Sequence, residues 1–494
     1  MPFELETAAT PPANLKRVVI EPVTRVEGHG KVTLLLDEDN RVHQARFHIV
    51  EFRGFEKFIQ GRPYTEVPVL VQRLCGICPV SHNLAASKAM DVIVGGTPPP
   101  PADKLRRLMH MGQMLQSHAL HFFHLSSPDL LFGFDAEVGK RNIAGLAADF
   151  PGIARQGVAL RKFGQEVIRI TSGKRVHGTG VIPGGMSRNL SRDDRDYLLK
   201  DIDQVVQWSL GAVKLIEAIF SSQPEFHNGF GSYRSSFMSM VRHDGAMDLY
   251  HGGLRAVDEQ DRAIFDHVDY SQYSDYIHEE VKSWSYMKFP FICSQGREAG
   301  WYRVGPLARV NNCDFIPTPL ADAERRIFKE FGGGSARHAT LAFHWARMIE
   351  MLHSAEAIQE LLQDGDLLSD DLSRSGTRQL QGVGVIEAPR GTLIHHYQIN
   401  EDEQIVRANL IVATTHNNQA MNEAIRRVAL QYLDGNQLTE GLLNYIEVAI
   451  RAFDPCLSCA THAIGKMPLE IELMDVEGTT IQRLIKDSDG KLRT

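Results

Sequence analysis

Two pairs of cysteines carry the strongest chemical signal in the sequence. Cys75-Gly76-Ile77-Cys78 stands near the start and Cys456-Leu457-Ser458-Cys459 near the end, with Cys456 378 positions after Cys78. Thiolates are soft ligands, and four of them in C-x-x-C pairs suit zinc, iron or nickel. The simple arrangement is one four-thiolate site that joins the two ends of the chain. Structural zinc is the bland use of paired C-x-x-C motifs. There, however, the pairs usually stand roughly 15–20 residues apart, in a small domain that needs a metal staple. A chain of 494 residues can build its core without one. A thiol–disulfide oxidoreductase would need only one pair. The other two cysteines, Cys293 and Cys313, stand apart and read as buried structural thiols.

The residues around the pairs narrow the chemistry. The first pair lies in Arg73-Leu74-Cys75-Gly76-Ile77-Cys78-Pro79-Val80-Ser81-His82, and the second in Asp454-Pro455-Cys456-Leu457-Ser458-Cys459-Ala460-Thr461-His462. Together, R-x-C-G-x-C-x-x-x-H near the start and D-P-C-x-x-C-x-x-H near the end closely resemble the paired signatures of nickel–iron hydrogenase large subunits. The resemblance runs through several intermediate motifs and covers nearly the whole chain.

That resemblance implies roles residue by residue. All four thiolates would bind nickel; Cys78 and Cys459 would also bridge to an iron carrying carbon monoxide and cyanide, and Cys75 and Cys456 would be terminal. Bridging leaves an open position between the metals, where hydrogen is split heterolytically with a terminal thiolate, Cys456, as the first base. Arg25-Val26-Glu27-Gly28-His29 matches the family's R-x-E-G-H motif, which makes Glu27 the next proton carrier. A carboxylate suits that work because burial can raise its pKa; a lone Glu-Gly would read as a surface turn. Phe52-Arg53-Gly54-Phe55-Glu56 matches a motif whose glutamate binds a magnesium or iron ion, and the carry-over places Glu56, the Leu410 carbonyl and His462 around it. Oxygen ligands fit a hard cation. Glu387-Ala388-Pro389-Arg390-Gly391 resembles the family's E-A-P-R-G segment: Arg390 would hang over the metals and donate to cyanide, with Asp454 as its partner. Val412-Ala413-Thr414-Thr415-His416-Asn417 aligns with the family's V-P-S-T-W-N stretch, and Thr414 would replace the cyanide-binding serine. Pro389 and Ala413 would line the cofactor beside them. His82 would hydrogen-bond a bridging cysteine sulfur.

One departure matters. Many membrane-bound relatives carry aspartate where this chain has Ser117, so the partners of Arg390 must differ. The stretch from Ser117 to Asp129, S-H-A-L-H-F-F-H-L-S-S-P-D, is instead similar to the cytoplasmic, bidirectional branch, and above all to its NAD-reducing members. Its histidines, His118, His121 and His124, otherwise read as helix-packing residues.

Electrons need an exit that this chain does not supply. Two lone cysteines cannot ligate an iron–sulfur cluster, which usually needs about four. No G-x-G-x-x-G is present; Gly382-Val383-Gly384 reads as part of a strand. The resemblance therefore implies a small subunit carrying iron–sulfur clusters and, for NAD, diaphorase subunits with flavin and the nucleotide site. NADP, ferredoxin or a heterodisulfide-reductase partner are the alternative acceptors. It also implies a maturation endopeptidase that cuts directly after His462. Residues 1–462 would then be one catalytic domain and 463–494 a removable extension. The same tail also reads as a closing hairpin around Glu477-Gly478, and the two readings are compatible.

These residues must be positioned by a large scaffold. Hydrophobic residues make up 43% and charged residues 23% of the chain, which describes an ordinary globular protein. With a net charge of −8 and no long basic run, nucleic-acid binding has no electrostatic support. The first residues lack an apolar core of signal-peptide length, and no apolar stretch of membrane-spanning length occurs, so a cytoplasmic protein with no membrane insertion is expected. Residues 17–50 and 383–412 read as β-hairpins around acidic turns. Segments 103–125, 155–171, 194–221 and 336–363 carry apolar residues at helical spacing, and 417–433 and 437–452 read as two more helices. The expected fold class is α+β and mostly helical: a bundle of long helices with small sheets at its margin. Two alternatives stand beside the hydrogenase reading. One is the non-catalytic quinone-site subunit of respiratory complex I, which resembles this fold but lacks the four cysteines. The other is a zinc-stapled structural protein.

Overall fold

Pro79 directly follows Cys78 and takes the first position of a helix, Pro79–Ile93, where its missing N–H would have no partner in any case. That helix is buried on nearly every side. In the computed structural model, which describes residues 15–282 and 284–461 together with three strands between 469 and 493, it packs along the strand Gln381–Ala388. The approach is close enough to exclude side chains. A Cβ on Gly382 would stand 2.0 Å from the Ala89 carbonyl oxygen, and one on Gly384 would stand 2.1 Å from that of Ala85. The G-x-G of this strand is therefore a packing device. Gly384→Ala must push helix and strand apart, at about 1–3 kcal/mol as for other overpacked cores. A lower melting temperature is expected, and an unchanged one would show that the contact yields freely.

The remaining elements follow the hydrophobic pattern, with differences. Strands Lys16–Ile20, Gly30–Leu36 and Val42–Ile49 form an antiparallel meander, and the acidic turn is closed by Asp37, whose carboxylate accepts the Asp39 and Arg41 amides. The long helices Pro100–Leu120, Pro151–Ser172, Ile202–Ser222 and Ala342–Gln363 form the bundle. Gly112 and Gly164 let the first two cross tightly, since a Cβ on Gly164 would lie 2.6 Å from the Gly112 carbonyl oxygen. The segment expected at 103–125 ends as α-helix at Leu120 and widens into a π-type turn, His121–Ser126. The segment expected at 194–221 is two helices: Arg192–Leu199, capped by the Ser191 hydroxyl, and Ile202–Ser222, restarted at Asp201. The segment expected from 336 starts only at Ala342.

The second β-region has three strands, Gln381–Ala388, Gly391–Ile399 and Ile405–Ile411, in sequential antiparallel order. A four-stranded sheet was not anticipated. Tyr302–Arg303 pairs parallel to Ser236–Val241, which pairs antiparallel with Gly253–Val257 and that with Ala263–Val268. In the tail, Leu469–Met474 and Thr480–Lys486 pair antiparallel, as the hairpin reading expected. No helix among the described residues is long and apolar enough to cross a membrane.

Neutral histidines are packed through this interior. Burial pushes His110, His118 and His353 down to about 4 and His416 down to about 3. An unfolded chain binds protons on these rings below about 6.5, whereas the fold refuses them until much lower pH. Their stabilising contribution is thus complete above about 6.5 and is lost as pH falls towards 4, at up to about 1.4 kcal/mol per pH unit for each ring. Urea unfolding at pH 5 should have a lower midpoint than at pH 7; equal midpoints would mean that the rings accept protons within the fold.

Candidate metal centre

The first cysteine pair forms a knuckle. Cys75 is extended after a short 3-10 turn, and Cys78 precedes the Pro79–Ile93 helix. The amides of Ile77 and Cys78 both point at the Cys75 sulfur, at 3.2 and 3.4 Å. Such donors favour a thiolate. The second pair follows the helix Glu440–Ala452 after Asp454, whose backbone is left-handed at φ 53°. Glu27 and Cys456 form an isolated parallel bridge, and the Leu457 amide donates to the Glu27 carbonyl at 2.9 Å. Gly28, at φ +85°, is required here: a Cβ would meet Glu51 Oε1 at 2.3 Å and the Ser458 amide nitrogen at 2.7 Å.

This stitching brings the four thiols together. All are buried, none is in a disulfide, and the four Sγ atoms lie within 4.8 Å of one another. Cys75 and Cys456 are 3.3 Å apart, Cys78 and Cys459 3.7 Å, and Cys456 and Cys459 2.9 Å. Thiolates bound at about 2.3 Å around one tetrahedral metal would stand roughly 3.8 Å apart, so the set fits a single soft ion or a compact pair of ions. Electrostatics point the same way. Thiol hydrogen bonds from Cys456, Cys459 and Cys78 pull Cys75 well down, while burial pushes Cys456 and Cys459 up. With one thiolate in place, the next is opposed by burial and by like charge; a cation removes that obstacle.

Arg390 stands over this cluster. It sits in a two-residue turn, because Ala388 pairs directly with Gly391. Its Nε donates to the Asp454 carbonyl at 2.6 Å and its Nη2 to Asp454 Oδ1 at 2.9 Å. Ser117 Oγ is 3.5 Å from Nη1, and Asp454 supplies the ion pair. The turn itself is held by Arg309, which carried no signal in the sequence. Fully buried, it donates to the carbonyls of Ala388 and Pro389 while paired with Glu350 and Glu387. Thr414 Oγ1 accepts the Cys456 amide at 2.9 Å. His82 lies 3.2 Å from His395, which in turn contacts the Tyr397 hydroxyl. Cys78, Cys456, Cys459, Arg390, Thr414 and His82 line one small cavity of about 10 Å³, with Pro389 and Ala413 in its wall. Ser81, Ala388, Leu393 and Val412 also line it and were not singled out from sequence. Only their nearness to the motifs could have suggested them.

Glu27 is half-buried, and Cys456 Sγ lies 3.0 Å from its Oε2. Burial, followed by the Cys75 charge, pushes its carboxyl above the usual range, against hydrogen bonds from Cys456 and Ser458. A line of polar groups continues outward: Ser458 Oγ donates to Glu51 Oε1 at 2.9 Å, and Glu51 contacts the exposed His29 ring at 3.4 Å. His29 ends the R-x-E-G-H motif; Glu51 had no sequence signal. On the far side, the buried Glu56 accepts the Leu410 amide at 2.8 Å. His462, the remaining member of that trio, lies outside the described residues.

Other expectations resolve simply. His118 contacts Glu350 and His121 contacts the Arg451 carbonyl, as packing histidines would. Cys313 is buried, but Cys293 is only partly so, because it lies in a short 3-10 turn after the strand Phe289–Ile292.

Comparisons with known proteins bear on this geometry. The sequence profile described as nickel-dependent hydrogenase matches residues 53–136 and 238–462, and one described as HoxL-like matches 17–52. The NAD-reducing hydrogenase HoxS subunit beta of Cupriavidus necator is 47% identical, over 94% of this chain and 99% of its own length. A component of the F420-non-reducing hydrogenase of Methanothermobacter thermautotrophicus is 42% identical, over 95% of this chain and 100% of its own. The crystal structure of an NAD+-reducing [NiFe]-hydrogenase in the H2-reduced state superposes with a TM-score of 0.89 at 55% identity, covering 90% of this chain and 99% of that one. A [NiFeSe] hydrogenase variant from Desulfovibrio vulgaris Hildenborough, at 22% identity and a TM-score of 0.72 over 91% and 99% of the two chains, shares the fold.

Proposed function

The chain belongs to the nickel-dependent hydrogenase family, and on that premise we propose that it is a catalytic large subunit that splits H2 reversibly into two protons and two electrons. The observation that carries the reading is the closed set of four buried thiols with Arg390 on one side and Glu27 on the other. Cys75, Cys78, Cys456 and Cys459 would hold a centre of nickel and an iron carrying cyanide and carbon monoxide. When bound, that centre would polarise H2 and accept its electrons.

The chain's own residues do the rest. Cys456 Sγ takes the first proton and passes it to Glu27 Oε2, 3.0 Å away. From there the Ser458 hydroxyl, Glu51 and the His29 ring lead to solvent, with Ser458 reorienting between acceptor and donor. Arg390, its charge balanced by Asp454, aims its remaining donors into the cavity. The Thr414 oxygen already accepts the Cys456 amide, which leaves its proton free for a cyanide nitrogen. Ala413, Pro389 and His82 wall off water from the same space. Glu56, the Leu410 carbonyl and His462 would hold magnesium or iron and tie the two ends of the chain together.

Electrons would leave through an iron–sulfur small subunit, and then to NAD through flavin-bearing diaphorase subunits. The relatives at 47% and 55% identity, both described as NAD-reducing, support that acceptor. We also place the protein in the cytoplasm, with residues 1–462 as the mature catalytic unit and an endopeptidase removing 463–494 after nickel insertion. The test is metal analysis with infrared spectroscopy of the purified complex. About one nickel per chain is expected, with iron in excess of it because the partner's clusters add to the iron of this centre, together with cyanide and carbonyl stretching bands; zinc alone and no such bands would sink the reading. Identification of the copurifying subunits tests the acceptor, and intact mass with and without nickel tests the processing.

A further inference from the structure

We propose that Ser81 is an additional hydrogen-bond donor to a small ligand held in the cavity beside Cys78, namely a diatomic bound to metal through carbon whose outer atom is the acceptor. The inference rests on the reading of the cavity given above and adds a residue to it.

Ser81 lies in the first turn of the Pro79–Ile93 helix and is completely buried. A buried hydroxyl in a helix ordinarily donates to the carbonyl four residues earlier. Ser127, Ser209 and Ser354 all do so in this protein, donating to the carbonyls of Phe123, Val205 and Glu350. The carbonyl four residues before Ser81 is that of Ile77, which stands ahead of the helix N-cap Cys78, and it is already taken. Gln113 Nε2 donates to it at 3.0 Å and Gln116 Nε2 at 2.7 Å, which uses both lone pairs. The Ser81 hydroxyl is left without a partner among the described residues. Ser81 is among the residues that line the cavity beside Cys78, Arg390 and Thr414. A buried polar group without a partner is costly, so such groups mark places where something else binds. Ser87, on the same helix, is also buried without a partner but does not line the cavity. It provides an internal control.

The cavity leaves room for little beyond a diatomic group between the sulfurs and Arg390. Arg390 and Thr414 offer donors from two sides, and Ser81 adds a third from the helix that carries Cys78. Three donors around one small space favour ligands with an electron-rich outer atom over apolar ones.

The experiment compares infrared spectra of the purified holoenzyme with those of Ser81→Ala, Ser81→Thr and Ser87→Ala, each checked for nickel content. Ser81→Ala should shift one band of the cyanide–carbonyl region and leave the others in place. Ser81→Thr, which keeps the hydroxyl, should return it, and Ser87→Ala should shift nothing. Unchanged bands in a fully loaded Ser81→Ala protein overturn the inference alone. A parent enzyme that shows no such bands overturns the reading of the site and this inference with it. A loss of nickel in Ser81→Ala with full loading in Ser81→Thr, and bands in the latter identical to the parent's, supports a donor needed for assembly of the same ligand set.

Discussion

Cys456→Ser is expected to abolish hydrogen oxidation while leaving the fold intact. The substitution removes one sulfur and keeps the size of the side chain, so the buried loop has no reason to rearrange. What changes is the ligand. A serine hydroxyl is a hard donor that holds its proton far more tightly than a thiol, and a soft metal gains little from it. Cys456 also stands at the junction of the site, within 3.3 Å of Cys75, 2.9 Å of Cys459 and 3.0 Å of Glu27 Oε2. On the proposed reading, its loss removes a metal ligand and the first proton acceptor in one step. Removing an outer partner of a metal ligand costs roughly 10–100-fold, so removing the ligand should exceed about 100-fold. Dye reduction under hydrogen, read beside nickel content and a thermal melt, measures this. Cys293→Ser, outside the cluster, serves as the control with activity retained. Near-normal hydrogen oxidation by Cys456→Ser would remove this residue from the mechanism.

Glu27→Gln should have the second-largest effect, and a different signature. The amide is nearly isosteric, and the backbone bridge to Cys456 and Leu457 does not involve the side chain. The four thiols therefore keep their places, and nickel content and metal spectra should stay close to those of the parent. A glutamine cannot accept and release a proton, however, so the step from Cys456 Sγ outward is interrupted. Loss of a positioned acid–base group typically costs about 10²–10⁴-fold. Hydrogen–deuterium exchange between gas and water should fall by that order, together with turnover. Full exchange activity in Glu27→Gln would show that protons leave by another route.

The two variants separate binding from transport. Cys456→Ser should lose both metal chemistry and proton exchange, whereas Glu27→Gln should lose only the second. The difference follows from position: Cys456 is among the four sulfurs, while Glu27 touches one of them from outside.

Much of the helical frame was legible because amphipathic spacing is a local property. The helices Pro151–Ser172 and Glu440–Ala452 stand close to where apolar periodicity put them. The break at Lys200-Asp201 was not legible, because apolar residues continue in phase across it. The sheet that pairs Tyr302–Arg303 with Ser236–Val241 was missed for another reason: two-residue strands have no period to read, and their partners are set by long-range packing. Gly382 and Gly384 could be placed in a strand, but the reason for glycine lies in Ala85 and Ala89, about 300 positions away.

The sequence by itself determined the chemistry available at the centre. Two C-x-x-C pairs declare four soft ligands, and residue identity is enough for that, since ligand softness belongs to single side chains. The proton carrier at Glu27 and the cation at Arg390 are what the resemblance of their motifs, and of the Glu56 and Thr414 motifs, to nickel–iron hydrogenase large subunits implies. Tertiary structure alone decided who touches whom. It put Glu27 against Cys456 across 429 positions, gave Arg390 to Asp454, ran Ser458 and Glu51 towards His29, and closed the Ile77 carbonyl to Ser81. The physical reason is that hydrogen bonds and burial are properties of pairs and of enclosed space. These exist only after the helices and the two ends of the chain have packed together.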